Sequence, residues 1–149
     1  MPVLSIVIPA YNEEAFIGRL LERVLKVPTE ELGFSKEVVV VDDGSKDRTA
    51  EIASTFSGVK VLRQVPNAGK GRAVQRGIAE SSGDYVLVQD ADLEYDPTDY
   101  LPMLRKLDPA RPTAVYGSRI LGQIRERGAR TFFPGKHAKQ GFGPWVANV

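Results

Sequence analysis

Short apolar runs alternate along this chain with stretches of helical periodicity, and most of the runs end in a cluster of polar residues. Residues 3–8 are an apolar run ended by Pro9, which predicts a buried strand. Over residues 14–27, Phe16, Leu20, Leu21, Val24 and Leu25 recur at helical spacing, and Pro28 closes the element. Residues 37–41 contain four consecutive valines, a second buried strand. Asp47 is placed to cap a helix reaching about Phe56, and residues 59–64 predict a third strand. Gly69 or Gly71 opens a helix that runs through Ser82 and stops at Gly83. Residues 84–89 form a fourth strand. Asp96 and Pro97 start a helix to about Leu107, with Pro97 at its first position, and residues 113–116 are a fifth strand.

This order predicts an α/β fold, Rossmann-like, with a mainly parallel sheet and helices on both faces. The signals weaken beyond Gly122, where Gly128, Pro134, Gly135, Gly141, Gly143 and Pro144 interrupt any periodicity. Residues 145–149 read as an element just beginning. The expected organisation is a ligand-binding core over residues 1–122, followed by a basic, glycine-rich segment over 123–149 that belongs to the same domain and leaves it incomplete.

Composition narrows the possibilities. The 149 residues suit one domain with a real core. Without a cysteine, neither disulfides nor thiolate metal sites can form. No apolar run approaches the length that spans a bilayer, and the first residues lack the features of a secretory signal, so cytosolic residence is the expectation. The net charge of +1 conceals an asymmetry: residues 1–118 are acidic, whereas Arg119, Arg125, Arg127, Arg130, Lys136 and Lys139 face only Glu126 in the rest. Such a tail suits an anionic partner, or is simply solvated. With Phe132, Phe133, Phe142 and Trp145 nearby, it is a candidate for peripheral contact with anionic lipid. No nucleic-acid partner is expected.

In open parallel sheets, ligands bind beyond the carboxyl ends of the strands, and the unusual polar residues fall there. Tyr11, Asn12 and Glu13 follow the first strand, Asp42 to Ser45 the second, Asp90 to Glu94 the fourth, and Gly117 to Arg119 the fifth. Asp90 and Asp92 lie two apart after an apolar strand, so in an extended segment both carboxylates face one way. Oxygen ligands of this kind favour Mg²⁺ or Mn²⁺, and Glu94 extends the same parity as a third candidate ligand. The bland reading, a turn and a helix cap, is weakened because Asp96 already holds the capping place. Asp42 and Asp43 are candidates for ribose or base contacts, or for a turn. Arg119 is a candidate diphosphate clamp, and Tyr11 a candidate for stacking on a base or for the core. The run from Asn67 to Arg72 lacks the spacing of a P-loop. Its glycines permit a tight turn at a helix start, with a phosphate contact by Lys70 as the second reading. The lone His137 reads as an exposed residue. The first loop has no Gly-x-Gly-x-x-Gly, which argues against a nicotinamide enzyme.

These residues carry a resemblance. The run from Ser5 to Glu14 resembles the opening of inverting, GT-A-fold glycosyltransferases of family 2, and Val39 to Ser45 and the DXD motif Asp90-Ala91-Asp92 follow in the right order. Asp92 to Pro97 and Val115 to Arg119 look most like the dolichol-phosphate mannosyltransferase branch, over roughly residues 3–122. The resemblance implies that Pro9, Tyr11, Glu13, Val40 and Asp42 hold the nucleoside. It further implies that Asp90, Ala91 and Asp92 hold the sugar diphosphate through Mg²⁺ or Mn²⁺, and that Arg119 meets phosphate. Members near this branch carry Gln where Glu94 stands, so a carboxylate ligand there adds a charge. The implied reaction moves a sugar from a GDP- or UDP-sugar to a polyprenyl or dolichyl phosphate, with inversion, at the cytoplasmic face of a membrane. The alternatives are transfer to a hydroxyl of a polysaccharide or glycolipid, and an inactive, truncated nucleotide-sugar-binding module. A nucleotidyltransferase is disfavoured because its first loop would be glycine-rich and basic. Family domains also run longer than this chain.

Overall fold

The apolar run that opens the chain becomes the middle of a sheet. The structure is a computed structural model that describes residues 1–108, 110–111, 113–117 and the backbone of 145–148. Its elements in order are β1 (Val3–Ala10), α1 (Ile17–Lys26), β2 (Ser35–Asp42), α2 (Thr49–Ser54), β3 (Val59–Arg63), α3 (Lys70–Ala79), β4 (Tyr85–Val88), α4 (Tyr100–Leu104), β5 (Ala114–Tyr116) and β6 (Trp145–Asn148). The sheet order is β3-β2-β1-β4-β6-β5. β1 runs parallel to both β2 and β4, and β2 runs parallel to β3. β6 inserts antiparallel between β4 and β5.

Alternation along β1 divides the core between two faces. Leu4, Ile6 and Ile8 join Leu20, Leu21 and Val24 of α1 and Tyr100 and Leu104 of α4 on one side. Val39 and Val41 of β2 pack with Ala73 of α3 on the other. Each valine, leucine or isoleucine among them, withdrawn from water, contributes roughly 1.5–3 kcal/mol. Gly77 lets α3 settle close to the sheet, since a Cβ there would come within 2.3 Å of Val7 Cγ1.

The expected fold is present, with adjusted boundaries. β1 continues past Pro9 to Ala10. Val7 O accepts from Gln89 N, so the odd positions of β1 present their backbone to β4. The N–H that Pro9 lacks would point beyond Val88, where β4 has already ended. α1 starts at Ile17, after a turn in which the amides of Phe16 and Ile17 both donate to Glu13 O. α3 stops at Ala79, ahead of Gly83, closed by the Glu80 amide on Arg76 O. Asp96 does cap the next element, accepting from Thr98 N, although its first turn, Pro97–Asp99, is a 3₁₀ turn. The element sensed at residues 145–149 is a strand within the sheet. The boundary expected at residue 122, and Ser118, Arg119, His137 and the basic run over 125–139, lie outside the described residues. Among the described residues, no helix is long and apolar enough to cross a membrane.

Candidate active site

The strand order reverses between β1 and β4, and the gap that opens there past Pro9 is the crevice in which such sheets bind ligands. A cleft occupies it. Pro9, Ala10, Tyr11 and Glu13 line it from the end of β1, and Asp90, Ala91 and Asp92 from the end of β4. Asp43, Lys70 and Ala73 complete the wall.

The loops around the cleft are laced by hydrogen bonds from side chain to backbone. Asn12 takes a left-handed conformation (φ 56°), its amide donates to Ser45 Oγ (2.9 Å), and its Oδ1 accepts from Lys46 N (2.9 Å). Glu13 N donates to Thr49 Oγ1 (2.7 Å), and Glu14 N to Asp47 Oδ2 (3.1 Å). Asp47 Oδ1 in turn accepts from Thr49 N (3.0 Å); the helix cap expected at Asp47 falls instead on Arg48, whose side chain makes no capping bond. The turn after β1 is therefore clamped to the turn after β2, and Tyr11 is left 44% exposed at the mouth.

Beneath the β4 side lies Gln89, which sequence reading passed over as a strand end. It is fully buried. Its Nε2 donates to the carbonyls of Asp90 (2.9 Å) and Tyr95 (3.4 Å), and its Oε1 accepts from the buried Tyr100 hydroxyl (2.8 Å). The loop of residues 90–95 closes around that amide. A polar residue ending an apolar strand was the one available signal.

The loop turns rather than running on extended. Leu93 has φ 62°, and Asp92 Oδ1 accepts from Glu94 N at 3.0 Å. Asp90 and Asp92 both reach the cleft, but Glu94 is exposed and does not line it. The parity that grouped the three acids holds only for straight backbone. Among the described residues, no three acidic or histidine side chains gather as a metal cluster.

Acidity in the cleft is concentrated nonetheless. Burial, followed by the negative charges of Asp92, Asp47 and Asp90, pushes the Glu13 carboxyl above its usual range. Among the described residues that line it, one cation answers: Lys70 Nζ lies 2.7 Å from Asp90 Oδ1. Two carboxylates on one wall suit a hard divalent ion, which takes one or two protein carboxylates and fills its shell with water and substrate phosphate.

The adjacent acids of β2 part company. Asp43 lines the cleft, whereas Asp42 is 0% exposed and does not. Asp42 Oδ1 accepts from Ser45 N (3.3 Å). Its Oδ2 has no hydrogen-bond donor among the described residues, with Arg63 Nε 3.5 Å away. Val40 is wholly buried in β2 and also stands off the cleft. Arg119 lies outside the described residues.

The sequence profile described as Glycosyl transferase family 2 matches residues 5–138. The chain belongs to this family. Among relatives, it is 37% identical over 141 residues to a dolichyl-phosphate beta-glucosyltransferase of Trichomonas vaginalis, covering 87% of this chain and 43% of that one. It is 41% identical over 121 residues to a dolichol-phosphate mannosyltransferase of Pyrococcus furiosus, covering 79% of this chain and 33% of that one. The chain thus spans less than half the length of these relatives. Among solved structures, it resembles a mannosyltransferase of Pyrobaculum calidifontis in complex with GDP-Man and Mn²⁺. The TM-score is 0.65 at 25% identity, over 83% of this chain and 38% of the other.

Proposed function

We propose that the protein transfers a sugar from a nucleotide-sugar donor to a polyprenyl phosphate such as dolichyl phosphate, with inversion at the anomeric carbon. The observation that carries this reading is the convergence of Asp90, Asp92 and Lys70 on one cleft at the β1–β4 switch point. The relatives named for transfer involving dolichyl phosphate support the choice of acceptor.

In this reading Tyr11, exposed at the mouth, stacks on the base, and Pro9 and Glu13 wall the nucleoside. Asp42 serves it from below: its buried Oδ2, with Arg63 Nε 3.5 Å away, suits a base or ribose donor once Arg63 moves. Val40 supports that floor from within the strand. Asp90 and Asp92 hold Mg²⁺ or Mn²⁺ and, with Ala91, the sugar diphosphate; Mn²⁺ accompanies GDP-Man in the solved mannosyltransferase. When bound, such an ion neutralises charge on the departing nucleoside diphosphate. Lys70 leaves Asp90 for the diphosphate, and Arg119 is the second phosphate contact. Glu94 is the candidate for a third, outer ligand if the loop straightens.

A phosphate monoester has its second pKa near about 6 and is largely ionised at neutral pH, so its oxygen attacks without a strong general base. The chain's own task is then to bind, orient and shield. The basic run over 125–139 is assigned to the acceptor side and to contact with the cytoplasmic face of a membrane.

The test is a thermal-shift panel of GDP- and UDP-sugars with and without Mn²⁺, on the wild type and on Asp92→Ala. Metal-dependent stabilisation by one donor, lost in Asp92→Ala, supports the reading. No stabilisation by any donor overturns it. A hydroxyl-acceptor enzyme would bind the same donor and fail to glycosylate a polyprenyl phosphate.

A further inference from the structure

Asp43 is 3% exposed, and its carboxylate accepts hydrogen bonds from neighbouring amides. Its Oδ1 accepts from Gln64 Nε2 (2.7 Å) and Ala68 N (2.9 Å), and its Oδ2 from Gly69 N (2.8 Å). Its carbonyl accepts from Asn67 Nδ2 (2.8 Å), and the Asp42 carbonyl from Gln64 N (2.8 Å). The loop after β2 meets the loop before α3 backbone to backbone. At Gly44 (φ 75°), an added Cβ would lie 3.1 Å from both Asn67 N and Gln64 O.

The place where these bonds land matters. Ala68 and Gly69 immediately precede Lys70, the first residue of α3, and amides at a helix start have no partner within the helix. A buried carboxylate that receives two of them is a charged, directional anchor. The residue so anchored reaches Asp90 with its ammonium at 2.7 Å.

We propose that Asp43 is a positioning residue. By holding the amides of Ala68 and Gly69 it sets the first turn of α3, and so aims Lys70 across the cleft at Asp90. The ligand that Lys70 then meets rests on the donor-site reading above; the aiming does not.

Calorimetric titration of GDP-mannose and UDP-glucose with Mn²⁺ tests the proposal on the wild type, Asp43→Asn, Lys70→Ala and the double variant. Asp43→Asn is expected to weaken binding about tenfold, the scale of one charged hydrogen bond. Lys70→Ala should weaken it comparably, and the double variant should lose less than about twofold beyond Lys70→Ala, as for two residues acting through one contact. Losses that multiply overturn the proposal. Two further readouts need no donor. Carbon relaxation at Lys70 Cε should show greater mobility in Asp43→Asn, and unchanged mobility counts against the aiming. Should that variant not fold, amide exchange of the wild type decides: Ala68 and Gly69 must be protected, and exchange at open-loop rates overturns the proposal. A wild type that binds no donor while Lys70 loosens in Asp43→Asn defeats the donor-site reading and leaves the positioning intact.

Discussion

Lys70 Nζ stands 2.7 Å from Asp90 Oδ1, so the first residue of α3 places a positive charge on an acid that also lines the cleft between β1 and β4. In the proposed reading, that ammonium takes the place a divalent ion would have beside Asp90, so lysine and metal would compete for this carboxylate.

That competition has a measurable consequence. Lys70 is 63% exposed, so the pair is screened and its worth is limited to about 1 kcal/mol or less. Lys70→Ala is expected to tighten Mn²⁺ binding without donor by up to about fivefold, read by titration against the Mn²⁺ paramagnetic signal. The same variant weakens binding of donor plus metal. Unchanged Mn²⁺ affinity would rule the competition out.

The Gln89–Tyr100 pair should behave as a buried polar unit. Tyr100 is fully buried, and burial drives its hydroxyl far above the usual range, so it stays a donor to Gln89 Oε1 at all working pH. Tyr100→Phe leaves that oxygen without its donor. The expected cost is about 1–3 kcal/mol in urea unfolding. A loss near zero would mean that the amide finds another partner.

Gly77 tests the closeness of α3 to β1. An added methyl meets Val7 Cγ1 at 2.3 Å and Val41 Cγ2 at 3.1 Å. Although alanine is the better helix former, Gly77→Ala is expected to destabilise the fold by about 1–3 kcal/mol through overpacking. Pairing it with Val7→Ala should recover part of that loss.

Acid stability is tied to Glu37, at the opposite end of the sheet from the cleft. Burial alone would raise its carboxyl, but hydrogen bonds from Ser5 Oγ and from the amide and hydroxyl of Ser82, together with the Lys60 charge, hold it below its usual value. A carboxyl with a lowered folded pKa stabilises above its unfolded value, near about 4.3, and that contribution fades as pH falls through the folded one. Glu37→Gln should therefore be less stable than wild type at pH 7, with the difference shrinking as the pH drops below about 4. Melting temperatures from pH 7 to 3 check this; a gap that persists in acid would assign the effect to packing.

How much of this was legible beforehand can be argued from particular residues. The valines of β2 and the apolar run of β4 announce buried strands, because only a sheet covered on both faces removes every side chain of such a run from water. Asp90 and Asp92 stood out because two carboxylates two residues apart follow an apolar strand at the edge where open parallel sheets bind ligands. Glu94 was grouped with them by a parity that assumes straight backbone, whereas Leu93 turns the chain there.

The sequence by itself thus determined the alternating elements, the carboxyl edge of the strands and the acids that crowd it, since these follow from local periodicity and from the cost of burying charge. Tertiary structure alone decided which of the two adjacent acids, Asp42 or Asp43, faces the cleft and that Lys70 meets Asp90. It also decided that Gln89 holds the loop from below and that β6 enters the sheet between β4 and β5. Each of these depends on segments distant in sequence meeting at hydrogen-bond range, and no local pattern encodes such a distance.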